Sequence, residues 1–278
     1  MNRLRLGQVV IAAFGAVVFA AFAECKHGLP VKGAESIKGC DPKTQACEPA
    51  QKAMGEYLEK IKEDPALFTA ALYSSPWRLY DGGLRILTVK EFAALVQSGL
   101  AKKKATAKRV ELVASWTGVS PEQGRPSIAE ALSKELGGFP VTGAKGFIWV
   151  RPDGSVRTTQ QAMTMRMGGG YYVAKGDEVM ASATVAWAIE MTQDFRAKRD
   201  AKGLAYAGAA WDIYGLCPQN ALAAFEQAAE FGSPVGAYNA ALMRLESGSK
   251  DDKVRAAALL KKAADAGDAK AKERLQGL

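Results

Sequence analysis

The sequence predicts a chain in two parts: an α/β domain over residues 69–180, followed by an all-α helical region over 181–278. Three observations predict it. Between Thr88 and Thr158 short apolar runs alternate with segments bearing helix-start signals, an order that argues for a layered unit with at least one parallel strand pair. Beyond Trp187 the apolar residues fall only at helical spacing. Close to the C terminus, over 203–278, the chain repeats itself.

Composition sets the outer limits. A chain of 278 residues, 48% hydrophobic and 24% charged, holds one large or two small domains with a real core. Its mean hydropathy of −0.09 excludes a polytopic membrane protein. There is a single histidine, His27, so a Ser/His/Asp or Cys/His mechanism, or a two-histidine metal site, has almost nothing to draw on.

The first element is an export signal. Arg3 and Arg5 precede an apolar run over 9–22, and Ala21-Phe22-Ala23 is a small-x-small cleavage pattern, so residues 1–23 read as a signal peptide cut after Ala23. The run is short for a membrane span, which needs about 20 residues, so no span remains after cleavage. Glu24 precedes Cys25 where a lipid-attachment site requires a small residue, which argues against a lipoprotein. The expected location is periplasmic or secreted, in a bacterial envelope. In that oxidising setting Cys25, Cys40, Cys47 and Cys217 read as two disulfides, with three possible connectivities. Turn formers between Cys40 and Cys47 favour a local bridge, which leaves Cys25 to tie the N-terminal arm to Cys217. The Cys-x2-Cys or Cys/His spacing of a metal site is absent, and no metal or cofactor is expected.

Residues 24–68 read as a disulfide-containing arm and a helix. Met54, Leu58 and Ile61 sit at helical spacing within 50–72, and Pro65 breaks or restarts the helix. Thr88 with Glu91 forms a capping box that opens a helix over 89–100, and Ser127 with Glu130 opens another that Gly137-Gly138 stops. Residues 109–114 are a short apolar strand; 146–150 and 155–158 are strands joined by the turn Pro152-Asp153-Gly154. The basic cluster Lys102, Lys103, Lys104, Lys108 and Arg109 has no aromatics interleaved, so it reads as a solvated helix end and not as a nucleic-acid site. The glycines at 168–170 lack the Lys-Ser/Thr of a phosphate loop and read as a hinge before the run at 171–173. Residues 187–198 form one amphipathic helix.

In the C-terminal region, residues 220–232 match 255–267 at an offset of 35, including Ala-Ala-acid-x-Gly. The preceding helices match at an offset of 32, pairing Tyr206 with Tyr238 and Ala209 with Ala241, so three residues are inserted near the Ser249–Asp252 loop. Each unit is helix, loop, helix, with Ala and Gly where helices approach closely. Residues 237–241, the Lys250-Asp251 loop and 262–271 make the region resemble the Sel-one-like repeats, relatives of the tetratricopeptide repeats. The resemblance implies helical hairpins stacked in a curved array that binds another protein in the envelope, with Tyr206, Trp211, Tyr238, Asn239 and Arg244 as the partner-binding residues. Two units are few, so the array should lean on the helix around Trp187 or on the α/β domain.

The middle of the chain carries a second likeness. Residues 110–118, with Ser115-Trp116-Thr117-Gly118 at the strand end, then 127–136, 140–143 and 146–154 follow the order of the caspase-like cysteine-peptidase fold of CHAT-type domains. That resemblance implies a three-layer α/β domain. Its cysteine position is occupied by Ser115, and its histidine position by Tyr73 of Tyr73-Ser74-Ser75-Pro76, so it implies a peptidase fold without peptidase chemistry. The alternative is a hydrolase with Ser115 as nucleophile and Lys108, Lys145 or an acid as base, which requires a buried lysine. Asp81, Asp153, Asp177 and Glu178 are the carboxylates available for paired acid–base work, and surface turns account for them better. Trp77, Tyr80, Trp116, Trp149, Tyr171 and Tyr172 belong to the core unless exposed on a binding face. The expectation is an exported, non-catalytic protein–protein interaction protein.

Overall fold

A computed structural model describes Cys25 and residues 27–38, 47–102, 106–166 and 177–278. The expected signal peptide and its cleavage point, Cys40, Lys103, Lys104, and the 168–173 stretch lie outside the described residues. The chain is mixed α/β through its first two thirds, with four small sheets among the described residues, and helical thereafter.

The helical spacing around Met54 yields α1 (Glu48–Glu59), but the pattern does not continue to 72 as expected. Pro65 restarts the chain as a strand, β2 (Leu67–Ala71), which pairs in parallel with β6 (Arg109–Val113) from Leu67↔Arg109 to Ala71↔Val113. On its far side β6 pairs in parallel with β7 (Val141–Thr142). The capping boxes open their helices: α2 (Val89–Lys102) begins where Thr88 N–H donates to Glu91 Oε2 at 2.8 Å, and α3 (Ile128–Glu135) where Ser127 N–H donates to Glu130 Oε2 at 2.7 Å. Gly137 and Gly138 end α3 with φ of +69° and +89°, conformations that only glycine enters freely.

The period of two along β6 sorts its side chains between layers. Val110 and Leu112 join Phe92 and Val96 of α2 and Leu132 of α3 in one core. Val113 turns the other way, onto Met54 of α1 together with Ile148 and Val150 of β8 (Phe147–Val150). Helices therefore cover both faces. β8 forms the expected hairpin with β9 (Val156–Thr159) and also pairs with β11 (Val179–Met180). Two further sheets had no counterpart in the sequence patterns. One is a parallel pair of β1 (Ala34–Lys38) and β10 (Ala162–Arg166); the other is a meander of β3 (Tyr73–Ser74), β4 (Leu79–Tyr80) and β5 (Ile86–Leu87).

The single helix expected over 187–198 is two: α4 (Trp187–Glu190) and α5 (Thr192–Ala197), after a 3-10 turn at Ala181–Val185. Thr192 Oγ1 reaches back to the carbonyls of Ala188 and Ile189 at 3.1 and 2.8 Å, and this competing bond interrupts the ladder. Then come the paired units, α6 (Ala201–Ile213) with α7 (Pro218–Glu230) and α8 (Pro234–Ser247) with α9 (Lys250–Asp265), followed by α10 (Ala269–Gln276). Asp200, Ser233 and Asp268 cap α6, α8 and α10 by accepting the N–H of Gly203, Gly236 and Ala271. Because the cap fixes where a helix starts, α6 and α8 are related by 33 residues, not the 32 that pairs Tyr206 with Tyr238; Tyr206 corresponds to Asn239. With the second helices offset by 35, two residues and not three are inserted, and they lie in the helices and not in a longer loop: α9 has 16 residues against 13 in α7, and the loop before it is shorter. Both second helices end alike, with Gly232 and Gly267 at φ of +101° and +92° and Ser233 and Asp268 N–H returning to the carbonyls of Ala228 and Ala263. At Gly208 a Cβ would meet the Phe225 ring at 2.6 Å, so the first hairpin closes only because no side chain is there.

Cys25 is bonded to Cys217, with their Cα atoms 5.3 Å apart, so the start of the arm is tied to the N-cap of α7. Cys47 is disulfide-bonded as well. Among the described residues no helix is long and apolar enough to cross a membrane, and no three or more His, Cys, Asp or Glu side chains gather as a metal site.

The chain beyond β6 crosses that before β8 so closely that a Cβ at Gly143 would meet Gly118 N at 2.5 Å and the Thr117 carbonyl carbon at 2.6 Å. Backbone cannot yield as a side chain does. Gly143→Ala is expected to lower stability by about 1–3 kcal/mol in urea unfolding, as overpacking does.

Candidate functional site

The repeat helices and the β3–β5 meander meet around one arginine. Ser75 and Pro76 open a tight turn in which Ser75 Oγ accepts the N–H of Trp77 and Arg78 at 3.2 and 3.1 Å, and Ser75 N–H bonds the Arg78 carbonyl. The turn sends Arg78 into the helical region, where it is 7% exposed. Its Nη1 donates to Asp212 of α6 at 2.6 Å, and its Nε and Nη2 fork onto Glu246 of α8 at 2.9 and 2.7 Å. Asp212, fully buried, also accepts from Ser75 Oγ at 2.6 Å and Tyr80 OH at 2.7 Å. Burial opposes the charge on Arg78, but Asp212 and then Glu246 outweigh it and hold the guanidinium protonated above its ordinary range. Burial first, and Asp212 next, push the Tyr80 hydroxyl well above the usual phenol range, so it stays a donor.

The contact continues along the hairpin. Leu84 adopts φ of +58°, rare for a branched side chain, and its carbonyl accepts from Asn239 Nδ2 at 2.8 Å while Asn239 Oδ1 accepts Ile86 N–H at 2.8 Å. Asn239 thus satisfies the hairpin edge as a neighbouring strand would. Tyr80, Leu84 and Ile86 enter the same core as Ala209, Ile213 and Tyr238. Arg85 stacks over the Tyr238 ring at 4.6 Å and pairs with Asp268. Lys270 and Arg274 of α10 face Glu91 at the start of α2. The first helices of the repeats therefore hold residues 75–91 of their own chain.

This settles where the expected partner-binding side chains lie. Tyr238 and Asn239 are fully buried and taken up by the meander. Trp211 is buried, with its Nε1 directed to Thr192 Oγ1. Arg244 bonds Glu226 at 2.7 Å and Asp252 at 2.8 Å, tying α8 to α7 and α9. Tyr206 is half-buried and opens on an apolar groove of about 510 Å³ between the starts of α6 and α8, beside Leu84, Ala205, Pro234 and Val235.

Around Ser115 the groups are close but spent. Ser115 is 2% exposed, its Oγ accepts the N–H of Ile148 at 3.1 Å, and its carbonyl accepts from Ser74 Oγ at 2.7 Å. Trp116, next in the chain, is fully buried with φ of +64°. Tyr73 OH and Thr184 Oγ1 pair at 2.9 Å, and burial raises the Tyr73 hydroxyl above its ordinary range. Lys108 and Lys145 are exposed. Among the described residues the hydrogen bond of Ser115 Oγ is to backbone and not to a basic side chain. The carboxylates are engaged separately. Glu178, 2% exposed, is forked between Arg151 and Arg157 at 2.7 and 2.6 Å; Asp153 caps its own turn at Ser155, and Asp81 accepts the N–H of Gly83 and Arg85. Tyr80, Trp116 and Trp149 are core; Trp77 is half-buried.

The Arg78 cluster is the feature that sequence reading missed. Its single signal is an aspartate, Asp212, in a helix otherwise made of Ala, Gly, Leu, Tyr, Trp and Ile from 203 onward.

A family model described as a domain of unknown function (DUF8616) matches residues 43–158. That span runs from just before α1 to β9 and includes the meander. No curated protein and no solved structure matches the chain.

Asp212→Ala leaves Arg78 buried without its closest partner and is expected to cost about 3–5 kcal/mol in chemical denaturation. Asp252, in the first turn of α9 where Ser249 is the cap, is held down to about 2 from 3.8 by Ser247 and Ser249 and then Arg244. A depressed carboxylate stabilises above its unfolded value and stops doing so as pH falls through the folded one. The melting point of Asp252→Asn should therefore lie below that of the native protein at neutral pH, and the gap should close as pH falls from about 4 to 2.

Proposed function

We propose that the protein is exported and acts without catalysis as a protein–protein interaction protein, its Sel-one-like repeats serving as the scaffold. The α/β part keeps a caspase-like three-layer frame from which the peptidase groups have gone. Helices on both faces of the β2–β6–β7 sheet support that reading of the frame, and a Ser115 hydroxyl committed to Ile148 N–H supports the loss of chemistry. The disulfide from Cys25 to Cys217 fits an oxidising compartment.

The observation that carries the binding role is the contrast among the repeat aromatics. Trp211 and Tyr238 are spent inside, whereas Tyr206 lines an open apolar groove. This contrast supports a partner surface at the starts of α6 and α8, while the face formed by Asp212, Asn239 and Glu246 serves the protein's own meander.

Removing the repeats is a poor test, because truncation would strip Arg78 and Tyr80 of their cover. Substitution within the groove leaves the cluster intact. With the chain from Glu24 immobilised in an envelope extract, a partner captured by the native protein should be lost from the double variant Tyr206→Ala/Val235→Glu at unchanged melting temperature. Capture that survives the double variant would move the binding surface elsewhere. Ser115→Ala should capture the partner as well as the native protein while losing about 1–3 kcal/mol of stability, because Ile148 N–H is left unpaired. Loss of the cellular role with the fold intact would return catalysis at Ser115 to consideration.

A further inference from the structure

A second cavity, of about 320 Å³, lies on the opposite side of the meander, where the starts of α2 and α3 face α8 and α10. Its lining brings three guanidiniums, Arg78, Arg125 and Arg274, together with one carboxylate, Glu246. The walls are apolar: Leu87, Val89, Leu242 and Leu245.

The three cations are not equivalent. Arg78 is saturated by Asp212 and Glu246, and its fork uses both oxygens of Glu246. Arg125 is not saturated. Its nearest oxygens are Glu122 Oε1 at 3.4 Å, the Trp77 carbonyl at 3.5 Å and Glu246 Oε2 at 3.7 Å. All three exceed the ordinary reach of about 2.7–3.2 Å for such a bond. Arg274 lies beside the Tyr238 hydroxyl, and its closest carboxylate, Glu91, is 3.7 Å away. Two guanidiniums, each with five donors, thus line this cavity between apolar walls with donors in hand. Both keep roughly a third of their side chains exposed, so a ligand reaches them from solvent.

We propose that this cavity binds an apolar carboxylate, its head taken by Arg125 and Arg274 and its hydrocarbon or aromatic body laid against Leu87, Val89, Leu242 and Leu245. A cation would meet three guanidiniums against one carboxylate, Glu246, whose two oxygens already accept from Arg78. A neutral apolar ligand would desolvate two guanidiniums and leave their donors unpaired. A doubly charged anion would meet Glu246 at close range, which favours a single charge. The carboxylate is the planar group that matches the guanidinium fork.

The test compares phenylacetate with phenylacetamide, bodies of the same shape with and without the charge, by calorimetric titration of the whole protein. Phenylacetate should bind, the amide at least about tenfold more weakly, and affinity for the acid should fall with added salt. Arg125→Gln and Arg274→Gln should each weaken the acid by about tenfold or more. Equal binding of acid and amide, or no heat from the acid up to about 10 mM, would overturn the proposal. So would Gln variants that bind as well as the native protein. The acid–amide comparison uses the unaltered chain, so it decides the matter whatever the substitutions do to stability. It is also independent of partner capture through Tyr206.

Discussion

One buried cation organises the joint between the two parts of this chain. Arg78 leaves a Ser-Pro turn, loses nearly all its water and is compensated from two different repeat helices at once, by Asp212 of α6 and Glu246 of α8. Taking a charge out of water costs several kcal/mol, and that cost is offset only when geometry and remaining hydrogen bonds are satisfied together. Here they are: Ser75 and Tyr80 occupy the lone pairs of Asp212 that Arg78 leaves open. Such a cluster adds less net stability than its short distances suggest. What it does supply is register, because a meander shifted by one residue would leave Asp212 and Arg78 both buried and unpaired.

That constraint explains how so short a repeat array stands. Two helical hairpins and a final helix cannot enclose a core alone. The missing cover comes from the α/β side, where Tyr80, Leu84 and Ile86 enter the repeat core and Asn239 completes the hydrogen bonding of the hairpin edge. On the other flank the segment holding Trp187 and Phe195 packs on α6, and the Cys25–Cys217 bond fixes the arm to the start of α7. The face of the first helices that carries Asp212, Asn239 and Glu246 is thus turned inward. What remains outward is the Tyr206 groove at one end of the first helices and the arginine-lined cavity at the other. The chemistry of these two openings differs: one is nearly all apolar, the other sets unspent guanidiniums above apolar walls.

The region around Ser115 shows the same economy. At the strand end Trp116 takes φ of +64° and the backbone crosses itself closely at Gly118 and Gly143. In this chain the polar groups there hold one another: Ser74 to the Ser115 carbonyl, Ser115 to Ile148, Tyr73 to Thr184.

Local chemistry was legible where it is written in adjacent residues. The capping boxes at Thr88 and Ser127, the Gly137-Gly138 stop, the β8–β9 hairpin and the twin glycine ends at Gly232 and Gly267 all depend on residues within a turn of one another. Spacing misled where a longer-range partner intervened. The apolar residues after Pro65 became a strand because β6 was there to pair with them, and the helix after Trp187 broke because Thr192 found carbonyls behind it. The tyrosine match between α6 and α8 slipped by one residue because caps, not aromatics, set the helix starts. By itself, then, the sequence determined the capped helices, the β8–β9 hairpin, the helical C-terminal third and the repeat, since these follow from residue type and short spacing. The tertiary structure alone decided that Asp212, Asn239 and Glu246 serve their own chain and that Arg125 and Arg274 are left with donors unspent. Those outcomes rest on side chains about 50–190 residues apart meeting in a dry space, where the energy of a charge depends on what surrounds it.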